Sequence, residues 1–168
     1  MVRGVLGAVL ALAMGAGSAL AQDGETVSGP GKMIDADILA IGNQRVILWG
    51  IDAPERSQPC QSGASRYSCY EAATRELETI LSGGDVSCTL TGDRDPFGRF
   101  HGECTVGDAS VNGEMVRRGL ALAYLDQTDE YVPQEEEAKA AKVGVWQDGV
   151  EFQLPWVWRK TVNPSGFR

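Results

Sequence analysis

The pattern of hydrophobic and polar positions predicts two groups of short strands with a helix between them. Alternating and β-branched runs indicate three strands near the start of the chain and two later ones. These strands are expected at residues 27–35, 38–41, 46–51, 85–90 and 99–106. Gly42-Asn43 is typical of the tight turn between the second and third strands. The early strands therefore read as a β-meander.

Apolar residues at helical spacing predict the remaining elements. A helix is expected over residues 70–81, with Ser68 as its N-cap. Later helices are expected at 111–118 and 132–142, each followed closely by a glycine. A helix between the third and fourth of five strands predicts a five-stranded OB-fold β-barrel of the α+β class, with about three helices. Such barrels often bind oligonucleotides or oligosaccharides, although a fold alone does not define a function.

The first 21 residues have the pattern of a secretory signal peptide. One Arg precedes a long uncharged stretch that ends in Ala-Leu-Ala, so cleavage is expected after Ala21. An uncleaved membrane anchor is the alternative, which the glycines and the Ala-x-Ala ending disfavour. Residues 22–30 are interpreted as a flexible linker, 31–160 as one domain and 161–168 as a tail. The protein is therefore expected in the periplasm or outside the cell.

Loss of the signal peptide makes the chain more acidic. The mature part keeps 14 Lys and Arg against 23 Asp and Glu, a net charge of −9 with His neutral, because only Arg3 is removed. Such a protein attracts cations and repels polyanions at long range. Tight nucleic-acid binding would need a local basic patch.

The cysteines are expected to form disulfides, because an exported chain folds in an oxidising compartment. Cys88 with Cys104 is the favoured pair, since both lie in the middle of strands of one hairpin. Cys60 with Cys69 would close a short loop before a helix. Zinc binding is the alternative, but the chain has no Cys-x-x-Cys motif and His101 is its single histidine.

Two pairs of acidic residues form a candidate metal site. Asp35 and Asp37 share one side of a strand, because side chains alternate along a strand. Asp52 and Glu55 follow the next long strand, where Pro54 restricts the backbone. In a curled meander the pairs converge, and carboxylate oxygens suit Ca²⁺. Solvated acids in turns are the alternative.

Five motifs in order carry a family resemblance. They are MIDADI, ILWGIDAPERSQPC, DRDPFGR, VNGEMVRRGLALAY and AKAAKVGVW. Together they resemble the staphylococcal nuclease (thermonuclease) family over roughly residues 27–158. That family consists of OB-fold, Ca²⁺-dependent phosphodiesterases that act on DNA and RNA.

The resemblance implies roles for the acidic residues. Asp37 and Asp52 would be metal ligands, with the backbone carbonyl of Ala53 as a further ligand. Glu55 would position or deprotonate the attacking water. Asp35 would lie in the outer shell of the metal site.

The resemblance also implies two residues that contact the substrate. Arg99 would bind the phosphate and stabilise the leaving oxygen, and Tyr124 would pack on the nucleotide. Hydrolysis needs an aligned water, a base and cations where negative charge develops, so these residue types match the reaction.

The chain departs from the family pattern at the expected second arginine. That position, five residues before Asp52, is Ile47, which can neither donate a hydrogen bond nor carry charge. An arginine aimed at a phosphoryl transition state is worth roughly 10³ to 10⁵ in rate. Arg45, two residues upstream on the same strand face, is the candidate replacement. The family's Asp-Gly-Asp-Thr is here Asp35-Ala36-Asp37-Ile38, which also removes a hydroxyl.

Two functions follow from these residues. The first is an exported, monomeric, Ca²⁺-dependent endonuclease acting on single-stranded DNA or RNA. The second is a catalytically silent OB-fold module of the periplasm or cell envelope that binds an oligosaccharide or a protein. His101 is expected to be a surface or packing residue, and Trp156 and Trp158 are expected to cover apolar surface.

Overall fold

The computed structural model describes residues 24–63 and 65–162. The described strands are β1 (Thr26–Asp35), β2 (Ile38–Ile41), β3 (Gln44–Leu48), β4 (Ile51–Asp52), β5 (Cys60–Ser62), β6 (Ser65–Tyr67), β7 (Asp85–Thr91), β8 (Phe100–Val106), β9 (Ala109–Ser110), β10 (Leu122–Ala123) and β11 (Val150–Phe152). The described helices are α1 (Cys69–Leu81), α2 (Val111–Arg117), α3 (Val132–Ala141) and α4 (Pro155–Val162), with a 3-10 turn at Gly144–Trp146.

Five of these strands close into a barrel. The sheet runs in the order β3, β2, β1, β7, β8, and the additional parallel pairing of β3 with β8 closes it. This is the five-stranded α+β barrel that the order of strands and helix predicted, so the OB-fold is confirmed. The described part of the chain has four helices rather than about three, because α4 forms in the segment that we expected only to cover apolar surface.

The third predicted strand is interrupted. β3 ends at Leu48, and Gly50 has a φ of +77°, a left-handed value that favours glycine. A Cβ atom at Gly50 would lie 2.4 Å from a methyl group of Thr128, so a side chain there would also clash. The break lets β4 leave the barrel sheet and pair with β10. Asp52 therefore lies on a short strand outside the barrel sheet.

Asn112 fixes the turn that precedes β4. Its side chain is fully buried, accepts from the Cys104 N–H at 3.0 Å and donates to the Trp49 carbonyl at 2.8 Å. A buried amide with satisfied partners is costly to replace. This side chain connects α2 to β8 and to the turn that leads to Asp52.

The main core lies between the barrel and the first two helices. It includes side chains without measurable exposure, among them Leu39, Val46, Leu48 and Leu77. Ser68 caps α1 as predicted, accepting from the Glu71 N–H at 3.2 Å. Burial of such apolar side chains stabilises the fold by roughly 1.5 to 3 kcal/mol each.

Both predicted disulfides are confirmed. Cys88 and Cys104 lie directly opposite each other on β7 and β8, and Cys60 joins β5 to Cys69 at the start of α1. β5 also pairs with β11, where Phe152 lies opposite Cys60. The second disulfide therefore links α1 to the strand on which the C-terminal segment packs.

Several expectations concern the ends of the chain. Residues 26–30, which we interpreted as linker, belong to β1, where Thr26–Pro30 pair with β7. The signal peptide and residues 163–168 of the tail lie outside the described residues. None of the helices within 24–63 and 65–162 has the length and apolar character needed to cross a membrane.

Candidate functional site

Asp52 is a buried carboxylate at one edge of the barrel. It is 2% exposed and lies opposite Leu122 in the pairing of β4 with β10. The pairing continues in a hydrogen bond from the Tyr124 N–H to the Gly50 carbonyl at 2.9 Å. These contacts fix the segments that carry Asp52 and Tyr124 side by side.

The charge of Asp52 acts on the hydroxyl of Tyr124. Burial raises the pKa of the Tyr124 hydroxyl, and the carboxylates of Asp126 and Asp52 raise it further. Its ring centroid is 5.4 Å from that of Trp156. Both rings line an open groove of about 540 Å³ that Trp146 also borders. An aromatic surface therefore adjoins the buried carboxylate.

The loop after Asp52 is held by a buried glutamine. Gln58 is 5% exposed, and its amide oxygen accepts from the Glu55 N–H at 3.1 Å. Its amide nitrogen donates to the Gln153 carbonyl at 2.6 Å. One side chain thus fixes the backbone of Glu55 and connects it to the residues that precede α4.

Arg159 of α4 joins the two acidic residues of this loop. Its Nη1 donates to Asp52 Oδ1 at 2.7 Å and to Glu55 Oε1 at 2.8 Å, and its Nη2 donates to Asp52 Oδ2 at 2.7 Å. The side chain of Asp52 is 3% exposed, that of Arg159 21% and that of Glu55 26%. Arg159 therefore makes a bidentate ion pair with Asp52, and its Nη1 also donates to one carboxylate oxygen of Glu55.

The charge of Arg159 is stabilised at this site. Burial alone would lower the pKa of the guanidinium, but the hydrogen bonds and charges of Asp52 and Glu55 outweigh it and raise the pKa above its ordinary value. The cation therefore helps to offset the cost of burying the charge of Asp52.

Asp35 and Asp37 lie around the hydroxyl of Tyr70. The Asp35 carboxylate accepts from the Ala36 N–H at 2.9 Å and lies near the Tyr70 hydroxyl. Asp37 is 5% exposed, and its backbone carbonyl accepts from the Leu48 N–H at 2.9 Å. Burial raises the pKa of Tyr70, and the charges of Asp35 and Asp37 raise it further. The two acids are thus close to one phenol.

Arg99 is held by Asp95 in the loop before β8. Its Nε donates to Asp95 Oδ2 at 2.7 Å, and its guanidinium carbon lies 5.1 Å from the ring centroid of Phe97. Burial alone would raise the pKa of Asp95, but hydrogen bonds from Arg99 and Phe97 outweigh it and lower the pKa. Arg45 lies on β3 with its side chain exposed.

The two departures from the family pattern are neighbours in space. Ile38 on β2 lies directly opposite Ile47 on β3, and Ile47 in turn lies opposite His101 on β8. Ile38 is 8% exposed and Ile47 is 7% exposed. His101 packs edge to face on Trp49, with the ring centroids 5.5 Å apart. The sheet therefore has a paired apolar contact where the family pattern has a hydroxyl and a guanidinium.

The predicted calcium ligand Asp52 is already paired with a cation in this arrangement. Asp37 and Asp52 carry the oxygen ligands that Ca²⁺ prefers. Among residues 24–63 and 65–162, however, no three His, Cys, Asp or Glu side chains are grouped to hold a metal ion. Both carboxylate oxygens of Asp52 accept hydrogen bonds from Arg159. The resident cation at Asp52 is a guanidinium.

Sequence reasoning missed Arg159, Gln58 and the pairing of Trp156 with Tyr124. Arg159 and Asp52 are separated by 107 positions, so no local spacing connects them. Pro155 at the first position of α4 is the one local signal of a helix there, since proline is favoured at helix starts. It predicts the helix but not the contact.

Comparison with known proteins places these residues in a family. Residues 45–148 match the family described as staphylococcal nuclease homologue. The succinoglycan biosynthesis protein ExoI of Rhizobium meliloti (strain 1021) is 33% identical over 128 residues, which cover 73% of this chain and 66% of that protein. The probable staphylococcal-like nuclease CAN3 of Oryza sativa subsp. japonica is 31% identical over 128 residues, covering 75% of this chain and 31% of the rice protein.

A further relative is of similar size. An uncharacterized endonuclease of Haemophilus influenzae is 28% identical over 136 residues, which cover 77% of this chain and 70% of that protein. The chain spans less than two thirds of the length of the Rhizobium and rice proteins. The family match covers more than half of the chain and includes Asp52, Glu55, Arg99 and Tyr124. The chain therefore belongs to the staphylococcal nuclease family.

Proposed function

We propose that the protein is an exported endonuclease that hydrolyses phosphodiester bonds in single-stranded DNA or RNA. The observation that carries the proposal is that Glu55 and Asp52 both accept hydrogen bonds from one guanidinium, that of Arg159, at one edge of the barrel. A base beside a fixed cation is what the hydrolysis of a phosphodiester requires.

In the proposed reaction, a water oxygen attacks phosphorus and Glu55 accepts the proton of that water. The bond from phosphorus to the leaving oxygen breaks, and solvent protonates that oxygen. Asp95 accepts a hydrogen bond from Arg99 and so orients its guanidinium. Arg99 donates to the phosphate oxygens on which negative charge develops. Tyr124 and Trp156 offer aromatic faces beside Asp52 for an unpaired base, since stacking on such faces is sequence-tolerant.

The proposal also includes dependence of the cleavage on Ca²⁺. The family generally uses Ca²⁺, and Asp37, Asp52 and the carbonyl of Ala53 are the oxygen ligands that this chain offers. The hydrogen bonds from Arg159 to both oxygens of Asp52 compete with metal binding there. The steps above therefore use only the chain's own residues, and Ca²⁺ is a variable of the test.

Export is supported by the disulfides. Cys60–Cys69 and Cys88–Cys104 are stable in the periplasm or outside the cell, where thiols oxidise. The signal-like pattern of residues 1–21 agrees with this location.

The test is hydrolysis of fluorogenic single-stranded DNA and RNA by the purified oxidised protein, with Ca²⁺ and with chelator. We expect cleavage by the unaltered protein and a loss of about 10² to 10⁴-fold in Glu55→Gln, which removes the base. Glu78→Gln is the matched control, because Glu78 is an exposed glutamate of α1. Equal rates for Glu55→Gln and Glu78→Gln would contradict the proposal.

The apolar pair Ile38 and Ile47 favours a second function, an OB-fold module that binds an oligosaccharide or protein without catalysis. The groove bordered by Trp146 and Trp156 is a suitable aromatic surface for a sugar ring. One relative is named for succinoglycan biosynthesis. This function predicts saturable quenching of tryptophan fluorescence by an oligosaccharide and no cleavage of nucleic acid under any of the conditions above.

A further inference from the structure

The proposed active site lacks a cation where its family pattern has one. Ile47 lies between Ile38 and His101 across the barrel sheet and is 7% exposed, so that position supplies no charge. The candidate replacement Arg45 is exposed on β3. A phosphodiesterase with one guanidinium fewer would be slow, because each such donor to the transition state matters greatly.

We propose that Arg159 is the second phosphate-binding arginine of this site, supplied by the C-terminal helix in place of position 47. This inference rests on the proposed nuclease function and assigns a substrate contact to a residue outside the family match, which spans residues 45–148.

The hydrogen bonds of Arg159 leave a phosphate-binding edge available. A guanidinium has five N–H donors in a fixed planar arrangement. Nη1 uses both of its hydrogens, on Asp52 and Glu55, and Nη2 uses one hydrogen on Asp52. The Nε–H and the other Nη2–H are not used by these bonds, and they lie parallel on one edge of the group. Two parallel N–H groups match two oxygens of a phosphate.

The carboxylates hold the guanidinium in a fixed orientation near the proposed base. Glu55 accepts from Nη1, on the far side of the group from the unused N–H donors, so one guanidinium would hold both the proposed base and a phosphate bound at those donors. The side chain of Arg159 is 21% exposed. The bidentate pair with Asp52 fixes the plane of the guanidinium in advance.

The position of α4 is built into the fold. β11 pairs with β5, Gln58 donates to the Gln153 carbonyl, and Trp156 packs on Tyr124. Pro155 at the start of the helix is buried. Contacts from a strand, a buried amide and an aromatic ring all place the same short helix against the Asp52 loop. Arg159 is therefore presented to the site by a supported element.

The test combines kinetics with a direct readout of phosphate binding. Arg159→Lys keeps the charge but removes the paired donors, and we expect kcat on single-stranded DNA to fall by about 10² to 10³-fold. Lys160→Gln changes the neighbouring exposed cation and serves as the control. The backbone amide spectrum and the urea midpoint of each variant establish that the fold is intact.

In ¹⁵N-labelled wild-type protein, the Nε–H resonance of Arg159 is identified by its absence from the Arg159→Lys spectrum. We expect this resonance to move in a saturable manner on titration with inorganic phosphate. An unmoved resonance at saturating phosphate would overturn the inference, even if the protein cleaves DNA. So would an Arg159→Lys variant as fast as, or faster than, the wild type, since Arg159 would then only neutralise or block the acids.

The two proposals fail in different ways. If the wild type cleaves no nucleic acid under any condition, the nuclease function is wrong, and the phosphate titration still decides whether Arg159 binds phosphate. If the wild type cleaves and the Nε–H resonance does not respond, the nuclease function stands and the role of Arg159 is wrong.

Discussion

Arg159 and Asp52 are 107 positions apart in the chain, and two hydrogen bonds of 2.7 Å join them. The pair connects the last described helix to the strand that leaves the barrel. Because Asp52 is almost fully buried, the interaction affects both the stability of the fold and the chemistry of the site.

Removal of the guanidinium should destabilise the protein. In Arg159→Ala the buried carboxylate of Asp52 loses both hydrogen bonds from the guanidinium, and breaking a buried ion pair on one side costs roughly 3 to 5 kcal/mol. We expect the free energy of unfolding, measured in urea, to fall by about that amount. Lys160→Ala, at the exposed neighbouring position, should leave it nearly unchanged. Similar unfolding curves for both variants would show that Asp52 does not depend on Arg159.

Loss of the buried glutamine should free the C-terminal segment. Gln58→Ala leaves the Glu55 N–H and the Gln153 carbonyl without the partner that they have here, at a cost of about 1 to 3 kcal/mol. We expect faster amide hydrogen exchange over residues 150–162 and slower cleavage of DNA. Gln61→Ala, at an exposed position of β5, is the matched control. Unchanged exchange in α4 would mean that Gln58 does not hold it.

The two disulfides should differ in their effect on function. Replacing either pair of cysteines by serine should lower the free energy of unfolding by about 2 to 4 kcal/mol. Only the Cys60/Cys69 replacement should also slow cleavage, measured at a temperature where both variants are folded, because β5 supports β11 and the helix beyond it. A larger effect of the Cys88/Cys104 replacement on kcat would contradict this assignment.

The pH dependence of stability should report the pair of Asp95 with Arg99. The pKa of Asp95 is lowered in the folded protein from its ordinary value of 3.8. A depressed folded pKa contributes stability above the ordinary pKa, and this contribution is lost as the pH falls through the folded value. Asp95→Asn should therefore be less stable than the wild type at neutral pH, with the difference shrinking below pH 3.8. Urea unfolding at a series of pH values measures this, and a pH-independent difference would exclude the pairing as its cause.

Much of the fold could be predicted from local sequence patterns. The strands, the Ser68 cap and the helix over 70–81 are set by alternation, helical spacing and capping chemistry, which act over a few residues. The pairing of Cys88 with Cys104 followed from their positions in one hairpin. The break at Gly50 was not predicted, because it depends on packing against Thr128 and on pairing with the distant β10.

The candidate site was predictable only in part. Asp52, Glu55 and Arg99 follow from motifs. The strand spacing assumed for Asp35 and Asp37 was wrong, because β1 ends at Asp35 and Asp37 lies in the turn before β2. The residue that contacts Asp52 and Glu55 is on α4, and its place there depends on β5, β11 and Gln58 together. Tertiary contacts of this kind leave no periodic signal in the sequence. The same holds for the apposition of Ile38 and Ile47, which required the strand register.

The most direct measurement is kcat on single-stranded DNA for the wild type, Arg159→Lys, Ile47→Arg and the double variant Ile47→Arg/Arg159→Lys, at saturating substrate. If Arg159 supplies the phosphate-binding guanidinium that Ile47 cannot supply, kcat should fall by about 10² to 10³-fold in Arg159→Lys. Ile47→Arg should restore at least roughly tenfold of that loss in the double variant, because a second donor is then present again beside Arg99. Wild-type rates in Arg159→Lys would contradict the claim that the active site takes its second cation from the C-terminal helix.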